Sequence, residues 1–88
     1  MIATSIELIT PAAAAEMISN NDNNRPLDTR RAARLAEAIK RGEWKLNGDA
    51  IRVSNTGRLL DGQHRLTAIV LSGVAVNTLV IRGLDNEV

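Results

Sequence analysis

Asp61, Gly62, Gln63, His64 and Arg65 stand side by side in the chain. They bring a carboxylate, a residue without a side chain, a carboxamide, an imidazole and a guanidinium to one short run. Leu59-Leu60 before them reads as a strand. Leu66, Ala68 and the residues up to Ser72 after them read as a helix. The run therefore lies at a strand-to-helix junction. The first N–H groups of a helix have no intrahelical partner and point at whatever precedes it, which suits an anion. Gly62 leaves the backbone open to approach. Arg65 can fork onto two phosphate oxygens. His64 can donate to a phosphate or act as acid or base, and Gln63 offers neutral hydrogen bonds. Taken singly, each residue has a plain structural reading: an Asp at a helix start, a structural His, an Asp-Gly turn. Their joint placement at one junction points to an anion site at Gly62, Gln63, His64 and Arg65.

Asp61 complicates that site, because a carboxylate repels phosphate unless a cation or a hydrogen bond intervenes. It caps the helix, holds a magnesium-bound water or contacts a hydroxyl. For catalysis, Asp61 and His64 are the candidates within the run. Glu43 is a candidate general base outside it, with no second carboxylate at a convincing spacing.

The net charge is +1, which argues against a protein that coats nucleic acid through bulk charge. The charge is uneven all the same. Arg25, Arg30, Arg31, Arg34, Lys40, Arg41 and Lys45 crowd one stretch, against Asp28, Glu37 and Glu43. Arg30, Arg31 and Arg34 suit a nucleic-acid backbone or a triphosphate tail. Alternatively they form a solvated helix face, with Glu37 pairing Arg34 and Arg41 at helical spacing.

The elements that must position these residues follow from local signals. Ser5 to Leu8 alternates as a short strand. Thr10-Pro11 opens a helix, Thr at the N-cap and Pro at the first position. The Asn-rich run from Ser19 to Asn24 ends it as a loop. Pro26 or Asp28 starts a second helix, with Ala32, Leu35, Ala36 and Ile39 as its buried stripe and Gly42 closing it. Trp44 reads as a core anchor beside Leu46, or as a surface for a stacked base. Asn47-Gly48-Asp49 reads as a turn. Ala50 to Val53 is a strand, Asn55-Thr56-Gly57 a hairpin turn, and Arg58 to Leu60 the returning strand. Arg52, like Arg82 further on, faces either the pocket or solvent. A third helix runs from about Gly62 to Ser72, with Leu66, Ile69 and Val70 inward and Gly73 closing it. Val76 to Ile81 is a β-branched, buried strand, and residues 84–88 read as a tail. The order is β-α-α-β-β-α-β: a small α+β domain with a mixed sheet and packed helices.

The 88 residues make one domain, with an apolar content of 44% and a single aromatic residue. The core is therefore aliphatic. There is no cysteine, which excludes disulfides, thiolate metal sites and cysteine nucleophiles. No basic leader precedes an apolar run, and no apolar stretch has the length of a membrane span. The expectation is a cytoplasmic protein.

The pattern Gly57-x-Leu59-Leu60-Asp61-Gly62-Gln63-His64-Arg65-Leu66-x-Ala68, with Gly73 and an apolar strand after it, resembles the signature of the ParB/sulfiredoxin-like superfamily. Upstream, Asn24-Arg25-Pro26 and then Leu35-Ala36-x-Ala38-Ile39 and Gly42 are similar to the first box and following helix of ParB N-terminal domains. The local string is nearest the DGQHR type of phage and bacterial ParB-like proteins, and the likeness spans roughly residues 4–83. The resemblance implies nucleotide binding at the turn from Gly62 to Arg65, with Arg25 contributing to the pocket. ParB proteins use CTP to close a clamp on DNA, and sulfiredoxins use ATP to repair a peroxiredoxin sulfinic acid. Some relatives are kinases of free serine and some have been called nucleases. The implied ligand is thus CTP or ATP, with magnesium and with Asp61 as the candidate metal contact.

Sulfiredoxins carry Cys where this chain has Gln63, so their reaction is excluded. ParB proteins continue into a helix-turn-helix and a dimerisation domain, whereas this chain ends after its last strand. The expectation is not a complete partition protein. Three uses remain open: a nucleotide-binding module accessory to DNA transactions in a bacterium, phage or mobile element; a phosphotransferase or nuclease with the same pocket; and a protein-interaction module that has lost its ligand. The partners implied are a nucleotide, DNA or a DNA-processing protein, and a second copy in a homodimer.

Overall fold

A computed structural model describes residues 1–20, 26–45 and 49–86 of the chain. The order β-α-α-β-β-α-β is present: β1 (Ala3–Ile9), α1 (Pro11–Ser19), α2 (Thr29–Lys40), β2 (Ala50–Ser54), β3 (Leu59–Asp61), α3 (Gln63–Ser72) and β4 (Val76–Leu84). The strands form one mixed sheet in the order β1-β4-β2-β3. β4 pairs antiparallel with β1 and parallel with β2, and β2 pairs antiparallel with β3.

The helices begin and end where their local chemistry dictates. Thr10 caps α1 by accepting the Ala13 N–H at 3.1 Å, with Pro11 behind it. Asp28, not Pro26, starts α2, its Oδ1 accepting the N–H groups of Arg30 and Arg31. After α2 the Gly42 N–H reaches the Ile39 carbonyl and the Glu43 N–H reaches that of Ala38. This paired closure requires a left-handed residue, which Gly42 supplies at φ 73°.

One core joins the sheet to all three helices. Ile9, Ile51, Val53, Leu59 and Val80 from the strands meet Ala14, Ala36, Ile39, Leu66, Ala68 and Ile69 from the helices. The expected stripe of α2 is present, with Ala32, Ala36 and Ile39 buried and Leu35 half-buried. α3 packs against both α1 and α2. This corrects its expected inward face. Ala68 is buried completely, whereas Val70 is 39% exposed. A helix flanked on two sides buries an arc set by its neighbours rather than a single stripe. Only a small residue such as Ala68 fits where a neighbour approaches closely.

The opposite face of the sheet is less covered. In β1 the apolar members of the alternation, Ile6 and Leu8, are 58% and 63% exposed. The register explains it: Ser5 lies opposite buried Val80, which puts Ile6 on the other face opposite Leu79. Part of the expected tail is also structured. Leu84 belongs to β4 and its carbonyl accepts the Asn55 N–H at 2.7 Å. The Asn86 side chain bonds Asn55 and Thr56 in the hairpin turn. Among the described residues no helix is long and apolar enough to cross a membrane.

Candidate anion site at the start of the third helix

β3 leads straight into α3, and the junction is a single glycine. Gly62 is the N-cap at φ 112°, ψ 13°, and as a glycine it makes no side-chain cap hydrogen bond. The first intrahelical bond runs from the Leu66 N–H to the Gly62 carbonyl at 3.0 Å. The N–H groups of Gln63, His64 and Arg65 lie ahead of that bond, at the positive end of the helix, where an anion is favoured.

A cleft of about 230 Å³ opens there, lined by Arg31, Asp49, Ala50, Arg52, Asp61, Gly62, His64 and Arg65. The register produces it. Antiparallel pairing of Arg52 with Asp61 sets the start of β2 beside the end of β3. α2 packs against α3, and hydrogen bonds tie the segment leading into α2 to the first turn of α3. The Asp28 N–H donates to His64 Nε2 at 2.9 Å, and Gln63 Nε2 donates to the Pro26 carbonyl at 3.3 Å. The first turns of both helices thus come together, and Arg31 joins the cleft.

Three arginines face two aspartates there. Arg65 Nη2 donates to Asp49 Oδ2 at 2.5 Å, and its guanidinium carbon lies 5.4 Å from the centre of the Trp44 ring. Arg52 Nη1 is 3.7 Å from Asp61 Oδ2, while Asp61 Oδ1 accepts the Gly62 N–H at 2.9 Å. Asp61 therefore holds the backbone before the helix and balances Arg52, and it is not the helix cap. Among the described residues no group of three or more His, Cys, Asp or Glu side chains comes together that could hold a metal by itself.

Several expected residues have different surroundings. Glycine suits position 62 through its positive φ and through packing, since an added Cβ would lie 2.5 Å from Ile51 Cδ1 and 3.2 Å from Ile51 Cα. His64 spends its Nε2 lone pair on the Asp28 amide, which leaves Nδ1 to carry the ring proton. Glu43 pairs with Arg41 at 3.1 Å and does not line the cleft. Glu37 pairs with Lys40 rather than with Arg34 or Arg41. Of the three α2 arginines, Arg31 joins the cleft and all three are exposed. Trp44 packs half-buried against the core and donates from Nε1 to the Asn77 carbonyl at 3.0 Å. Arg65 lies over its ring. Arg25, Leu46, Asn47 and Gly48 lie outside the described residues. Asp49 carries no local signal that marks it as a site residue, and Arg52 is ambiguous until the register is known.

A second cleft, of about 320 Å³, lies between α1 and the helix-facing side of the sheet, with Glu7, Met17, Val53, Leu59 and Arg82 among its lining. Arg82 grips Glu7 with two nitrogens, at 2.9 and 2.8 Å. These hydrogen bonds hold the Glu7 carboxyl below its ordinary value of 4.5, against an opposing effect of burial. A carboxyl with a depressed native pKa stabilises the fold above its unfolded value, and that contribution fades as pH falls through the native one. Glu7→Gln is therefore expected to flatten the loss of stability below about pH 4.5 in acid titrations followed by circular dichroism. Because the pair is partly exposed, the cost at neutral pH is about 1 kcal/mol or less.

No protein-family model matches the chain, and no curated protein or solved structure matches it.

Proposed function

We propose that this chain is a nucleotide-binding module of the ParB/sulfiredoxin-like kind, with the ligand's phosphates at the N-terminus of α3. One observation carries the reading: the glycine N-cap of α3 opens onto a cleft lined by Arg31, Arg52 and Arg65. The positive end of a helix and guanidinium groups able to fork onto phosphate oxygens together favour a phosphate there. The element order is the one the local sequence signals predict. On this reading Gln63 and His64 act mainly by docking α2 onto α3, which brings Arg31 to the ligand. Magnesium, where it accompanies the nucleotide, would be held through Asp61 and Asp49. The use of such a module is accessory to DNA transactions in a bacterium, phage or mobile element, with exposed Arg30 and Arg34 beside the site available to a nucleic-acid backbone.

Binding is favoured over turnover, because His64 Nε2 is engaged by a backbone amide and Glu43 stands outside the cleft. The test is calorimetric titration with CTP, ATP and GTP in the presence of magnesium. Arg65→Ala is expected to weaken binding by about tenfold or more, as loss of a charge-assisted hydrogen bond implies. No heat of binding at millimolar nucleotide would sink the proposal.

A further inference from the structure

The most enclosed guanidinium of the cleft already holds an anion. The Arg65 side chain is 18% exposed, whereas that of its partner Asp49 is 69% exposed. The cation is fixed on the Trp44 ring, and the carboxylate lies at the mouth, just before β2 begins. The other pair is looser, with Arg52 and Asp61 3.7 Å apart and both about half exposed.

Resting on the phosphate reading above, we propose that Asp49 is the specificity-determining residue of the site: an internal counter-ion that occupies Arg65 until a phosphate displaces it. The exchange decides which anions enter. A carboxylate ligand would merely replace one carboxylate by another, with no gain in charge or geometry. Chloride offers one charge and no fork. A phosphate brings further oxygens and a second charge, and it gains the α3 amides as well as Arg65. A diphosphate also reaches Arg52, whose pairing with Asp61 gives way more easily. Asp49 thus raises the threshold for every anion, and only phosphate-rich ligands recover the difference.

Trp44 makes the exchange visible. It is the only tryptophan, and the chain has no tyrosine or phenylalanine, so intrinsic emission reports on the ring beneath Arg65. The 88-residue chain would be titrated with pyrophosphate, and separately with acetate, by calorimetry and by Trp44 fluorescence. Asp49→Asn is expected to bind pyrophosphate about threefold to tenfold more tightly than the native chain, with acetate binding appearing only in the variant. Asp49→Ser repeats the test without a carboxamide that could still bond Arg65. Arg65→Gln is expected to bind neither anion. Equal or weaker pyrophosphate binding in both Asp49 variants would overturn the counter-ion role while leaving the phosphate site standing. Absence of pyrophosphate binding in native and variant chains alike would remove the phosphate site, and the counter-ion role with it.

Discussion

Gly62→Ala is expected to cost about 2–5 kcal/mol, a large share of the roughly 5–10 kcal/mol that holds a domain of this size together. Two independent penalties combine. A φ of 112° is a backbone conformation that L-residues rarely adopt, worth about 1–3 kcal/mol. An added Cβ would meet Ile51 Cδ1 at 2.5 Å and Ile51 Cα at 3.2 Å, and overpacking of this kind costs about 1–3 kcal/mol. The Cδ1 atom can rotate away, but the Cα cannot. Urea denaturation measures the sum, and a double-mutant cycle separates the parts. In an Ile51→Val background, which lacks the clashing methyl, the cost of Gly62→Ala is expected to fall by on the order of 1 kcal/mol. A cost of less than about 0.5 kcal/mol, the range of ordinary surface changes, would show that the junction does not need glycine. The functional consequence is direct, since this residue sets the angle at which α3 presents its amides to the cleft.

Leu66→Ala is expected to cost about 3–5 kcal/mol. Leu66 is fully buried one turn into α3, in the cluster that joins this helix to α1, α2 and the sheet. Truncation leaves a cavity in the core cluster where residues of all three helices and the sheet meet. Val70→Ala, one turn further on, is the control. With 39% of its surface exposed, Val70 is expected to lose less than about 1 kcal/mol. Thermal and urea unfolding of the two variants therefore tests how α3 is rotated. Equal costs would mean that the buried arc of this helix is wrongly assigned. Loss of Leu66 is also expected to loosen the anion site, because Arg65 and His64 are placed by the same turn.

Much of this architecture is written locally. Thr10-Pro11 marks the start of α1, Asp28 the cap of α2, and Asn55-Thr56-Gly57 the hairpin turn. Ala32, Ala36 and Ile39 carry the spacing of a buried helical stripe. Such features depend on residues a few positions apart and hence survive in a linear reading. The strand-to-helix junction at Gly62 is legible for the same reason. The face of α3 was not, because Val70 and Ala68 exchange places according to which neighbours press on the helix. Nor was the outward face of β1, where pairing with β4 decides that Ile6 and Leu8 turn away from the helices.

The cleft shows the same division. Its helix start, its glycine and Arg65 are determined by the sequence alone, since they lie within one continuous run. Its partners are decided only by the tertiary structure. Asp49 reaches Arg65 across 16 positions, and the Asp28 amide reaches His64 across 36. Arg52 faces Asp61 only because β2 and β3 adopt one register rather than another. Ion pairs and docking contacts of this kind have no periodicity and no local propensity. They exist because packing of the core brings distant backbone together, and so they become visible only when the chain has folded.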